Sequence, residues 1–328
     1  METRSLIRYW SLFGAVALLG FSIIAGPILA QKPGGSVKPS QSDKDQQEKN
    51  QQEAVPADHF DPDDTKTYED VVSEDREVSV RGQQFTVHFY RPTAAGTVVP
   101  AIYACGDGGW RGLAPRTAEQ LAHVGFAVAG IDSKVYLREF SSPQNPLTIK
   151  MLASDYSDIA KTLREYANAD SHEPVYVYGW SLGAGFAVAV GSDPGTRANW
   201  AGIISIGLPA KNQLVSGLGA NHADLRNSAN SRYGFLSETV MGALSPLPLV
   251  MIESTTDTAS PLKVGKTLFA AAREPKQYVL IQADNHRFSG ARDQFYSALA
   301  DALVWIRQSR VNGSQQSQST SSKNGVPQ

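Results

Sequence analysis

Val175-Tyr176-Val177-Tyr178-Gly179-Trp180-Ser181-Leu182-Gly183 is the stretch on which the reading of this chain turns. A short apolar run, rich in β-branched and aromatic residues, meets Gly-x-Ser-x-Gly. A helical pattern follows at once over Leu182–Val190. The spacing has a steric reason. A serine held in a strand-to-helix turn has a strained backbone, and glycines two residues either side remove side chains that would collide there. Such a turn leaves the hydroxyl of Ser181 exposed at the carboxyl edge of a sheet, at a helix N-terminus. The strand before and the helix after are the context that separates this pattern from a chance Gly-rich turn.

The same alternation recurs outward from it. Glu77 to Tyr90 alternates around Arg81-Gly82-Gln83 and predicts an antiparallel hairpin. Short apolar runs at Val98–Ala104, Phe126–Ile131, Ile203–Ile206, Leu249–Glu253 and Tyr278–Gln282 each precede other patterns. Helices are expected at Pro115–Val124, Leu147–Ala167, Pro261–Ala272 and Asp293–Ile306, with an irregular insertion after Ile206. Apolar strands alternating with amphipathic helices imply an α/β fold, a mostly parallel sheet with helices on both faces. Right-handed crossovers then gather the loops after the strands along one edge.

A serine hydroxyl needs a base to act as a nucleophile near neutral pH. On a strand-turn-helix of this kind the acid and then the histidine follow the serine in chain order. Two histidines follow Ser181: His222 in the irregular insertion and His286 in Asp284-Asn285-His286-Arg287, just past the last strand. His286 is the candidate base. Asp257, in the loop after Leu249–Glu253, is the candidate partner that orients its imidazole, with Glu253 at the strand end as the alternative. Asp284, two residues from His286, is too local to reach its ring. The alternative roles are a surface-loop histidine for His286 and a helix cap for Asp257.

Acyl transfer also requires donors for an oxyanion. The amide of Leu182, directly after the nucleophile, is one by position. Cys105-Gly106-Asp107-Gly108-Gly109-Trp110 supplies a Gly-rich loop after an earlier strand, and the Asp107 amide is the second candidate, with Gly106 or Gly108 as alternatives. No Lys-Ser/Thr follows and no GxGxxG is present, which counts against a phosphate cradle. Gly106, Gly108, Trp110 and Trp180 are the candidates for lining a substrate pocket; a packed core indole is the other reading of Trp110. Cys105 reads as a small apolar strand-end residue.

The full chain has 328 residues, 41% hydrophobic and 19% charged, with 30 Lys+Arg against 32 Asp+Glu. That apolar content supports a real core, and the balanced charge argues against a nucleic-acid-binding surface. One cysteine excludes an intramolecular disulfide and a cysteine-rich zinc module. The charge is unevenly spread, however. Arg4 and Arg8 precede a charge-free run from Leu12 to Ala30, read as a secretory signal or an N-terminal membrane anchor over 1–30. Residues 31–75 carry 5 Lys and 12 Asp/Glu and read as a disordered acidic linker. Residues 76–310 form one domain, 207–246 within it an insertion bearing Gly217, Gly219, His222 and Tyr233 and placed to serve as a lid, or else a surface excursion. Residues 311–328 read as a disordered tail.

With these residues in hand, 76–310 resembles the α/β-hydrolase superfamily. Within it, 105–190 resembles the VirJ/AcvB-type family of exported bacterial virulence proteins. The shared features are Gly106-Asp107-Gly108-Gly109-Trp110, Gly130-Ile131-Asp132-Ser133, and Asn145-Pro146 leading into a helix that bears Asp155. The elbow departs from that family's Tyr-Ser-Phe-Gly-Ala-Asp, reading Trp180-Ser181-Leu182-Gly183-Ala184-Gly185. Asn285-His286-Arg287-Phe288 likewise departs from its double-histidine ending. The resemblance implies a periplasmic serine hydrolase, with aminoacylated phospholipid as one substrate class.

The resulting expectation is an exported carboxylic-ester hydrolase that uses Ser181, His286 and Asp257. It needs no metal or cofactor. Its substrate would be a small-molecule or lipid ester, with no nucleic-acid partner and a possible membrane association through the N-terminal segment. A silent binding module of the same fold, or a peptidase or acyltransferase with the same triad, are the rivals.

Overall fold

The computed structural model describes residues 67–94, 96, 98–217 and 232–323, with side chains as far as residue 312. The leader, most of the linker, Gly219 and His222 lie outside the described residues. Eight strands form the central sheet: β1 (Val71–Val80), β2 (Gln83–Pro92), β3 (Val99–Ala104), β4 (Phe126–Ile131), β5 (Val175–Trp180), β6 (Trp200–Ile206), β9 (Leu249–Ser254) and β10 (Lys276–Ile281). Their spatial order is β1-β2-β4-β3-β5-β6-β9-β10. β1 and β2 form an antiparallel hairpin and β2 runs antiparallel to β4, while every later pairing is parallel. The α/β expectation of a mostly parallel sheet is therefore met.

Each central strand is buried on both faces, and its period of two divides its side chains between two cores. On β3, Ile102 and Ala104 join one cluster, while Ala101 and Tyr103 join the other. On β5, Val175 and Val177 face one way and Tyr176, Tyr178 and Trp180 the other. The first face is covered by α3 (Ile149–Tyr166) and α4 (Leu182–Ser192); the second by α1 (Leu113–His123) and α7 (Arg292–Lys323). α4 is apolar all round and nearly wholly buried, as a helix enclosed by its neighbours must be.

Several boundaries differ from the sequence reading. β1 starts at Val71, inside the stretch read as linker to residue 75. Its last residues, with β2, form the antiparallel hairpin expected over Glu77–Tyr90. Residues 71–76 are mostly exposed and carry no alternating apolar signal, so pairing with β2 supplies their order. An additional helix, α2 (Ser133–Phe140), precedes α3. Asp132 caps it, accepting from the amides of Lys134 and Val135. The last helix runs on to Lys323, through much of the segment read as a disordered tail; no proline interrupts it before Pro327.

The insertion contains a small antiparallel pair, β7 (Lys211–Gln213) with β8 (Gly234–Leu236), followed by α5 (Ser237–Met241). Its described part is pinned to the body. Leu147 N donates to Leu214 O at 2.9 Å, and Ser216 N donates to Ser141 Oγ at 2.9 Å. Helix α6 (Leu262–Ala271) completes the set. No helix among the described residues is long and apolar enough to cross a membrane.

Candidate active site

Ser181 sits between β5 and α4 with φ 56° and ψ −116°, a left-handed backbone that few non-glycine residues adopt. The flanking glycines explain how the turn closes. A Cβ on Gly179 would lie 2.0 Å from Gly183 O, and one on Gly183 would lie 2.0 Å from Ala104 O. No side chain fits at either place, so α4 can start directly over the ends of β3 and β5. Ser181 N donates to Ile206 O at 2.8 Å, fixing the turn against the neighbouring strand.

The loops after β9 and β10 meet beside this turn. His286 Nδ1 lies 2.5 Å from Asp257 Oδ2. Asp257 is itself held, its Oδ1 accepting from Ala259 N at 2.8 Å and Ser260 N at 2.7 Å. With Nδ1 donating to the carboxylate, Nε2 is left as the acceptor; it is buried and has no hydrogen-bond partner. Two residues that sequence reasoning did not connect to the histidine support it. Trp180 Nε1 donates to the His286 backbone oxygen at 3.1 Å. Gly207, at φ 58°, lets β6 end against the imidazole, since a Cβ there would lie 2.6 Å from Cε1. A glycine directly after a predicted strand was the available signal for it.

The two alternative acids fall elsewhere. Glu253, the penultimate residue of β9, is fully buried, accepting from Leu208 N at 3.4 Å through Oε1. Burial, helped by the Asp257 charge, pushes its pKa up to about 8, so it stands neutral near pH 7. Asp284 stays within its own loop, its amide bonded to Ser289 O and its carboxylate facing Gly290.

The Gly-rich loop passes against Ser181. A Cβ on Gly106 would lie 3.4 Å from Ser181 Cβ and 3.3 Å from the Trp180 ring. The loop turns back on itself, Gly109 N donating to Gly106 O at 3.2 Å, with Asp107 and Gly108 at the bend. Leu182 is the first residue of α4, among the amides that a helix leaves without an internal acceptor. Trp180 is packed between Gly106 and the His286 ring rather than standing free.

Trp110 does not line the site. Its indole lies over Gly130, where a Cβ would come within 2.1 Å, and it stacks on His88 and donates to Tyr90 OH at 3.3 Å. Removing a side chain at position 130 opened space for a large ring, which is the core-indole reading. Cys105 is buried and burial pushes its thiol up to about 12, so it is inert as a nucleophile near neutral pH. Among the described residues, no group of three or more His, Cys, Asp or Glu could hold a metal ion.

The profile of the family described as "Bacterial virulence protein (VirJ)" matches residues 98–197. That segment is VirJ-like. It spans β3 to the end of α4, and so contains the Gly-rich loop and Ser181 but neither Asp257 nor His286. A comparison with curated proteins finds no match. Among solved structures, a dienelactone hydrolase from Anabaena variabilis is similar with a TM-score of 0.52 and 17% identity, covering 72% of this chain and 98% of that one. Est1E from Butyrivibrio proteoclasticus gives 0.54 and 12%, covering 71% and 99%. The α/β hydrolase GrgF from a Penicillium species gives 0.51 and 13%, covering 71% and 97%. At these identities the likeness establishes the fold: the VirJ-like segment is part of an α/β-hydrolase fold.

Proposed function

We propose that this VirJ-like α/β-hydrolase-fold chain is an exported serine hydrolase of carboxylic esters. The observation that carries the reading is the pairing of Asp257 with His286 Nδ1 while Nε2 stays buried and unpartnered beside the strained Ser181 turn. A base needs that free nitrogen. In this mechanism His286 Nε2 takes the proton of Ser181 Oγ as the oxygen attacks the acyl carbon. The tetrahedral oxyanion is received by the amides of Leu182 and Asp107. The Nε2 proton passes to the departing alcohol, leaving an acyl-Ser181; water then attacks with His286 again as base, releasing the acid. Asp257 holds the ring and stabilises its cation throughout. No step calls for a metal or cofactor.

Export rests on the basic start and the charge-free run Leu12–Ala30. An envelope ester is the substrate class that this location favours, with an aminoacylated phospholipid as the candidate that the family resemblance of the sequence motifs implies. The test is to incubate an envelope lipid extract with the purified chain and follow its esters by mass spectrometry. Loss of an ester pool with the wild-type chain and not with Ser181→Ala is expected. Unchanged aminoacyl-phospholipids would remove that substrate.

A further inference from the structure

Three features singled out in the sequence play no direct part in this mechanism: Trp110, the Gly130-Ile131-Asp132-Ser133 stretch and Asp155. In the structure they form one connected brace behind the Gly-rich loop. Asp132 uses its two carboxylate oxygens on different elements. Oδ1 accepts from the amides of Lys134 and Val135, both at 3.0 Å, and starts α2. Oδ2 accepts from Trp110 N at 3.0 Å, at the far end of the loop that bends through Gly106, Asp107 and Gly108. Gly109, at φ 85°, passes so close that a Cβ would lie 3.2 Å from that same oxygen. The near end of the loop is held by the next residue: Ser133 Oγ donates to Cys105 O at 2.7 Å, both groups being fully buried.

The platform behind these two contacts is itself anchored. Below the loop the Trp110 ring fills the space over Gly130 on β4. One turn into α2, Tyr136 OH donates to the buried carboxylate of Asp155 on α3, which also meets Arg81 Nε at 3.0 Å from the β1–β2 turn. The loop from Cys105 to Trp110 is thus gripped at both ends by consecutive residues of one anchored helix start. A backbone amide can stabilise an oxyanion only if it is already aimed, and a glycine-rich loop does not hold an aim by itself.

We propose that Asp132 and Ser133 are positioning residues that hold the Cys105–Trp110 loop with its amides directed at the oxyanion site beside Ser181. The inference rests on the serine-hydrolase reading above and assigns these residues no contact with substrate. The selective perturbation is Asp132→Asn. An asparagine oxygen can still accept the Lys134 and Val135 amides and keep α2 capped. Its amide group then faces the Trp110 N–H, donor against donor, so that only the loop contact is lost. Ser133→Ala removes the other grip and keeps the volume nearly unchanged.

The test is the kinetics of phosphonylation of the full chain by a fluorophosphonate probe, whose phosphonyl oxygen occupies the oxyanion place. Loss of aim lowers the rate of the bond-forming step and leaves encounter with the probe alone. For Asp132→Asn the maximal labelling rate should fall about 10- to 100-fold with the half-saturating probe concentration unchanged, less than the roughly 10²- to 10³-fold cost of deleting an oxyanion donor because the amide is misaimed and not removed. Ser133→Ala should show the same pattern with a smaller fall, and thermal midpoints should drop by only a few degrees, the cost of one lost hydrogen bond in a domain of this size. Wild-type rates in both variants would overturn the proposal while leaving the serine-hydrolase reading standing. A raised half-saturating concentration at an unchanged maximal rate would also overturn it, since that pattern belongs to a pocket contact. No labelling of the wild-type chain would overturn both.

Discussion

Glu253→Gln separates the two acids weighed as the partner of His286 and exposes the electrostatics around the site. Glu253 is fully buried; one oxygen accepts a long bond from Leu208 N and the other has no partner. Burial first, then the charge of Asp257, raise its pKa from 4.5 to about 8. The folded chain therefore keeps a proton on Glu253 that the unfolded chain releases above pH 4.5. A raised pKa of this kind gives stability that is full below 4.5 and lost as pH climbs through about 8. The slope between is about 1.4 kcal/mol per pH unit. Glutamine is a neutral near-isostere of the protonated acid and has no such slope. The stability of Glu253→Gln relative to wild type should thus rise by about 4 kcal/mol between pH 5 and pH 8. Urea denaturation of both proteins across that range measures it. Parallel stability profiles would refute the argument. Hydrolysis at pH 7 should survive this substitution, whereas Asp257→Asn should lose roughly 10³- to 10⁴-fold in kcat, because the wrong imidazole tautomer is then favoured.

Other substitutions test the local geometry. Gly183→Ala should destabilise the fold by about 3 kcal/mol or more in urea unfolding, since its Cβ would lie 2.0 Å from the Ala104 carbonyl oxygen and backbone must move. Trp180→Phe removes the 3.1 Å bond to His286 O; it should cost about 1 kcal/mol in stability and lower kcat more than it raises KM. Gly207→Ala should slow turnover while leaving secondary structure by circular dichroism unchanged, because its Cβ would press on the His286 ring.

The parts of the fold that were legible in the sequence are those where burial leaves a compositional trace. β3 to β6 and β9 are buried on both faces and so read as unbroken apolar runs. The Ser181 turn was legible because two backbone clashes admit only glycine, an effect local to nine residues. The elements that went unread lack such traces. The hairpin over Glu77–Tyr90 was read, but the first part of β1, residues 71–76, is mostly exposed and carries Glu74, Asp75 and Arg76, so its order comes from pairing with β2. α2 has eight residues between a cap and the Ser141–Pro146 turn, too few for a periodic signal. The partner of His286 is a matter of long-range placement. Asp257 was named from chain order with Glu253 as the alternative, because Glu253 lies within β9 and Asp257 in the loop after it, and only the loop geometry turns Asp257 Oδ2 to the imidazole. The brace on the Gly-rich loop was present in the sequence as motifs, yet their contacts join β3 to the start of α2, which no spacing reveals.

The central claim is that Ser181 is a nucleophile activated by His286. Its most direct test is mass-spectrometric mapping of the adduct formed when the full chain meets a fluorophosphonate probe. The account predicts one phosphonyl group per chain, on Ser181, with the adduct missing from Ser181→Ala and formed far more slowly in His286→Ala. Labelling that persists in Ser181→Ala, or a wild-type chain that takes up no probe, would contradict it.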